Sequence, residues 1–108
     1  MTAELHPIQP PVKITVVDGH LAEVTLAGDI SVPLLRDLEA CLADARLREV
    51  ERWVLDMHAV TRIELACAYA LLRAVTEHSG TATVHGARRT VLRTLRDAGL
   101  DKAAVIGE

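Results

Sequence analysis

Residues Trp53 to Leu72 read WVLDMHAVTRIELACAYALL, and the change of pattern within this stretch decides the fold. Trp53–Met57 is short, apolar and bounded by charge, as a buried central strand should be. Leu65–Val75 is apolar almost all round, the pattern of a buried helix, and Gly80 supplies a stop after it. The residues between, Asp56 to Glu64, read as a loop. A strand, a loop and an apolar helix in this order form part of a crossover connection within a sheet.

Working outward, Val12–Val17 alternates Val12, Ile14 and Val16 against Lys13 and Thr15, a half-buried strand. Asp18-Gly19 is a strong hairpin dipeptide, and Ala22–Ala27 returns with Val24 and Leu26 inward. Ser31 is placed to cap a helix, Pro33 is tolerated in its first turn, and Leu34, Leu38, Cys41, Leu42 and Ala45 recur at helical spacing to about Leu47. On the other side, Thr81–His85 is a strand, Ala87–Ala98 repeats the helical period with Gly99 at its C-terminal cap, and Val105-Ile106 adds a short final strand. The order β-β-α-β-α-β-α predicts an α/β fold: a mixed sheet of four to five strands with three or more helices. Residues 12–108 form one domain in this reading. Residues 1–11, with Pro7, Pro10 and Pro11 and no periodicity, form a flexible arm.

A length of 108 residues suits one domain with its own core. Half the residues are hydrophobic but only 2% are aromatic and none is Phe, so that core must be built from Leu, Val, Ile and Ala. A net charge of −3 argues against nucleic-acid or membrane-surface binding, which calls for a basic excess. Cys41 and Cys67 are too few for a disulfide framework, so free thiols and a cytoplasmic location are expected. The N-terminal residues lack the pattern of a signal peptide, and no run approaches the roughly 20 apolar residues of a membrane span.

Three segments together resemble the STAS domain family of the anti-sigma factor antagonist type. Val54-Leu55-Asp56 is similar to the end of the family's hydrophobic strand, and Val60-Thr61-Arg62-Ile63 to its following loop. Glu64-Leu65-Ala66-Cys67 stands where the family has Asp-Ser-Ser-Gly. Leu26-Ala27-Gly28-Asp29-Ile30 resembles the approach to helix one, and Val91–Leu100 the last helix. The resemblance runs from about Val12 to Ile106 and implies a SpoIIAA-like fold. It also implies a non-enzymatic role in partner switching, in which a serine kinase of the histidine-kinase-like ATPase type, doubling as an anti-sigma factor, is the partner. In the family the second serine of the motif is phosphorylated by that kinase. Here the equivalent position is Ala66, which has no hydroxyl, and Leu65, Cys67 and Ser31 are further departures. A scaffold or accessory STAS subunit in a stressosome-like or transporter assembly, binding other STAS proteins or forming a homodimer, is the alternative. A small enzyme or ligand-binding domain is the third reading.

The partner-binding residues implied are Asp56, His58, Thr61, Arg62, Glu64, Leu65, Ala66 and Tyr69, with Arg89 and Arg93 on the last helix. Each has a plainer explanation. Glu64 at a helix start is favoured by the macrodipole. Cys67 in the first turn could be a reactive thiol or a small core residue. Tyr69 is either an exposed anchor or one of two aromatics in the core. Asp56, His58 and Glu64 could suggest acid–base work or a metal, but their spacing matches no ligand pattern, and no metal or cofactor is expected. Arg89, Arg93 and Arg96, with Arg88 adjacent, are either a dock for an acidic partner or phosphate, or a solvated face.

Overall fold

The computed structural model describes residues 10–107. Residues 1–9, most of the expected arm, lie outside the described residues. Alternation produces β1 (Val12–Val16) and β2 (Leu21–Ile30), paired antiparallel from Val12 opposite Leu26 to Val16 opposite Ala22. Asp18 holds the turn: its Oδ1 accepts the amides of His20 at 2.7 Å and Leu21 at 3.0 Å. A short side chain that bonds nearby amides is the reason Asp recurs in turns.

The helix expected to run to Leu47 is interrupted. A single 3-10 turn (Val32–Leu34) containing Pro33 leads into α1 (Leu35–Leu42), and the chain restarts as α2 (Ala45–Arg48). The cause is Asp44, whose backbone is extended and whose carboxylate accepts the Arg46 amide at 2.8 Å, the geometry of an N-cap. Ser31, expected to cap the first helix, makes no side-chain capping bond.

The largest correction concerns β3, which runs Arg52–Ile63 and absorbs most of the expected loop. Trp53, Leu55 and Met57 are buried at a period of two, then Met57, Val60 and Ile63 at a period of three. The register with β2 shifts between Thr25 and Ala27 and again between Gly28 and Asp29. At each shift β3 contributes one extra residue, a β-bulge that re-aims the side chains beyond it.

The chain continues through α3 (Leu65–Glu77), β4 (Thr81–His85), α4 (Arg89–Ala98), a 3-10 turn (Leu100–Lys102) and β5 (Val105–Ile106). α3 ends at Glu77 with His78 already extended, so Gly80 is not its stop. Gly99 does close α4 in the left-handed conformation, φ 91°. Strand order in the sheet is β1-β2-β3-β4-β5, parallel from β2 onward. Crossovers of one hand between successive neighbours put α1, α3 and α4 side by side on one face.

That face holds the core. Val24, Leu26, Leu55, Met57 and Val84 from the strands meet Leu38, Leu71, Leu95 and Leu100, all fully buried. Trp53 ties three elements together. Its indole N–H donates to the Leu47 carbonyl at 2.8 Å in α2, and its ring stacks on His78 with centroids 4.1 Å apart. The opposite face of the sheet presents Thr25, Asp56 and His85 in register across β2, β3 and β4. Among the described residues no polar or charged residue is buried.

Candidate functional site

The end of β3 delivers Glu64 to the start of α3, and Glu64 holds the surrounding segments in place. Its amide donates to the Ile30 carbonyl at 2.9 Å, its own carbonyl accepts from Cys67 and Ala68 at 3.0 Å, and Oε1 accepts the Val32 amide at 3.1 Å. The carboxylate therefore joins the entry of the first helical segment to that of α3, while lying where the macrodipole favours negative charge.

α3 is amphipathic despite its apolar sequence. Cys67, Ala68, Leu71 and Val75 face the core. Leu65 and Tyr69, one turn apart, are 43% and 50% exposed, with Ala66 exposed beside them. The expectation of a buried helix thus holds for one side only. Tyr69 is an exposed aromatic, leaving Trp53 as the aromatic of the core. Val32, also 50% exposed and bonded to Glu64 through its amide, adds an apolar residue that sequence reasoning missed. Its position outside the Leu34–Leu38–Leu42 stripe was the available signal.

Asp56 and His58 form a separate group on β3. Asp56 Oδ1 lies 2.6 Å from His58 Nδ1 and accepts the His58 amide at 3.1 Å, and the two side chains are 28% and 66% exposed. Burial pushes the Asp56 carboxyl up, but the side-chain and backbone hydrogen bonds from His58, with charge from His58 and His85, outweigh it and leave the value lowered. The His58 ring lies against Gly86, where φ is +74° and an added Cβ would stand 2.5 Å from ring atoms. His85 is tilted beside it at a centroid distance of 6.4 Å. Asp56 projects from the sheet face opposite the helices, so it is separated from the exposed side of α3. Glu64 does not join the pair.

Thr61 and Arg62 are exposed on the bulged part of β3, and Arg62 reaches Asp29 of β2 at 3.5 Å. Arg88 caps α4 in an extended conformation, and Arg89, Arg93 and Arg96 lie exposed opposite the buried Val91, Leu95 and Ala98. Cys67 is a core residue. Burial first, then the charges of Glu64, Asp29 and Glu39, push its thiol up, the reverse of a reactive cysteine. Both cysteines are free. Among the described residues no group of three or more His, Cys, Asp or Glu comes together to hold a metal. A half-open hollow of about 540 Å³ lies between α1, α2 and α3, floored by Leu42, Trp53, Ala70 and Ala74; Asp56, His58 and Glu64 do not line it. Among the described residues no helix is long and apolar enough to cross a membrane.

Comparison with known proteins agrees with this architecture. Residues 15–107 match the family model described as "Mlab, STAS domain". The structure is similar to the unphosphorylated form of the anti-sigma factor antagonist SpoIIAA, with a TM-score of 0.70 and 11% identity over 90% of this chain and 88% of that one. It is also similar to an anti-sigma factor antagonist from Mycobacterium paratuberculosis (TM-score 0.71, 19% identity, 88% and 82% coverage). The phosphorylated form of the Bacillus cell fate determinant SpoIIAA aligns comparably (TM-score 0.69, 12% identity, 90% and 91% coverage). A search of curated protein sequences finds no significant match. At these identities the structural likeness shows the fold, and the family model carries membership.

Proposed function

The chain belongs to the STAS domain family, and on that premise we propose that it is a non-enzymatic protein-interaction module of partner-switching regulation, acting as an anti-sigma factor antagonist does. The observation that carries this reading is the pair Leu65 and Tyr69, exposed on a helix whose other side is locked into the core. A rigid, half-exposed Tyr offers a large contact area at low entropic cost, and such residues dominate interface energetics. Val32 and Ala66 extend the surface, Glu64 fixes its geometry, and Thr61, Arg62, Arg89 and Arg93 form its rim. Asp56 and His58 are assigned outside it, because Asp56 leaves the sheet on the other face. Their exposure, and their position outside the hollow floored by Trp53, give no support to an acid–base role. The partner on this reading is an anti-sigma factor or serine kinase of the histidine-kinase-like ATPase type, met in the cytoplasm.

Ala66 lies in the first turn of α3, exposed and without a hydroxyl. A phosphate there would add about 1.5 to 2 negative charges beside the contact surface; its absence leaves the surface permanently available. The same observation favours a second reading, an accessory or scaffold subunit that needs no phosphate switch. Affinity capture from the native cell, comparing the wild type with Leu65→Asp and Tyr69→Ala, tests both. Recovery of a histidine-kinase-like ATPase that Tyr69→Ala weakens about thirtyfold or more supports the antagonist. A transport ATPase or other STAS proteins, lost in the same variants, supports the subunit. A partner held equally by all three proteins places the interface elsewhere and ends both readings of α3.

A further inference from the structure

Arg88, Arg89, Arg93 and Arg96 are four of the chain's twelve basic residues, gathered within nine positions of a chain whose net charge is −3. All four are exposed, and among the described residues they form no ion pair, as is true of every Lys and Arg except Arg46 and Arg62, which reach Asp44 and Asp29. Arg89, Arg93 and Arg96 recur at i, i+4 and i+7, so they align along one side of α4. Its other side is anchored by Val91, Leu95 and Ala98. The N-terminal part of the strip works against the helix that carries it, whereas Arg96 in the last turn is favoured by the macrodipole. Like charges one turn apart repel, and cations at the first turn oppose the macrodipole, which no acidic residue of that turn offsets. What sets the strip apart is its density: four exposed cations within nine positions of an acidic chain are complementary to negative charge from outside.

We propose that this strip receives an acidic segment of the protein partner, and that the segment's apolar side chains rest on Leu65 and Tyr69 of the neighbouring α3. The inference rests on the interaction-surface reading above and adds the partner's chemistry to it. α3 and α4 run side by side in the same direction, both starting at the C-terminal ends of their strands, so one ligand lying across the helical layer meets both. The exposed apolar pair is what selects a protein. A duplex phosphate backbone would use the arginines and leave Leu65 and Tyr69 uncovered, and a single strand, whose bases could stack on Tyr69, is disfavoured by the net charge of −3. Exposed charges of this kind set association rate and partner choice, and their effect weakens with salt.

The test is an amide NMR titration of the full chain with two synthetic helical peptides sharing one Leu pattern, one with Glu and one with Lys on the polar side. Single-stranded DNA and phosphatidylglycerol vesicles are the further probes. The Glu peptide is expected to shift amides of both Arg89–Arg96 and Leu65–Tyr69. Its affinity should fall about tenfold in Arg89→Glu/Arg93→Glu, and by a similar factor on raising salt. The Lys peptide should not bind. Shifts confined to α4 would keep the acidic preference but overturn the role given to Leu65 and Tyr69. Shifts confined to α3, unaffected by the arginine changes, would overturn the strip and leave the surface reading standing. Equal binding of both peptides, no binding of either, or tighter binding of DNA or vesicles through the same arginines overturns the proposal. Because every substituted side chain is exposed, an unchanged circular dichroism spectrum and melting midpoint identify folded variants.

Discussion

Gly86 is a position where one added methyl group would disturb backbone and packing together. Its φ of +74° is a conformation that L side chains rarely adopt, and its missing Cβ leaves room for the His58 ring that Asp56 holds in place. Gly86→Ala is therefore expected to cost about 2–4 kcal/mol, the sum of a left-handed backbone penalty and a packing clash. In a His58→Ala background the clash disappears and about 1–2 kcal/mol should remain. Urea denaturation of the four proteins in this cycle separates the two contributions; an identical loss with and without His58 would show that the ring is not what Gly86 accommodates. Asp56 gives the same cluster a pH dependence. Its carboxyl titrates below the usual value in the folded chain. The group therefore adds stability above about pH 4, where the unfolded carboxyl is ionised, and the gain is lost as pH falls through the lowered folded value. Asp56→Asn should accordingly have a lower urea midpoint than the wild type at pH 6, with the gap narrowing as pH falls below about 4. A gap of constant size from pH 6 down into the acid range would mean that Asp56 acts through packing and not through its charge.

At the scale of elements, Trp53 is the joint that fixes α2 against β3. Its indole N–H satisfies the Leu47 carbonyl, and its ring fills space beside His78. Trp53→Phe should cost about 2–4 kcal/mol, combining a cavity with an unsatisfied buried carbonyl. Native-state exchange should show the Leu47 and Arg48 amides losing protection first. Uniform loss across the chain would mean that α2 has no independent attachment through Trp53. The same elements show where sequence was readable. The alternating strand read over Val12–Val17, the short apolar run Trp53–Met57 and the helix capped by Gly99 stand close to where the pattern placed them, although Val16, expected on the half-buried side with Val12 and Ile14, is 43% exposed. The second half of β3 was unreadable because its bulges convert a period of two into Met57, Val60, Ile63, which matches neither the strand nor the helix template. The split between α1 and α2 escaped because the apolar stripe continues across it; only the capping geometry of Asp44 reveals the restart. At the site, Leu65, Ala66 and Tyr69 were legible as a motif, but their exposure was not. An all-apolar helix gives no hint of which side faces out until the sheet supplies a single covering layer.

For the whole molecule, that single layer is the controlling feature. Parallel strands are usually covered on both faces, yet here the helices lie on one, and the other carries Glu23, Thr25, Asp56, Thr83 and His85 in a half-buried or exposed state. Polar and β-branched side chains make that face compatible with water, so stability is concentrated between the sheet's inner face and α1, α3 and α4. β2 and β3 lie at the centre of this arrangement, flanked on both sides and joined by nine paired residues. β5 is the contrary case: two residues at the sheet edge, with Val105 65% exposed. Opening β5 requires only local rupture, whereas opening β3 requires the core to separate. Hydrogen exchange should therefore place the amides of Val24 and Leu55 at the global unfolding limit, and those of Val105 and Ile106 at least about a thousandfold faster. The comparison also detects association through the open edge, because a second chain paired along β5 would cover its amides. Protection at Val105 and Ile106 that approaches the central strands and rises with protein concentration would show that this edge is closed by another copy. Protection that stays low at all concentrations would leave the edge open, as the exposed Val105 predicts for the isolated chain.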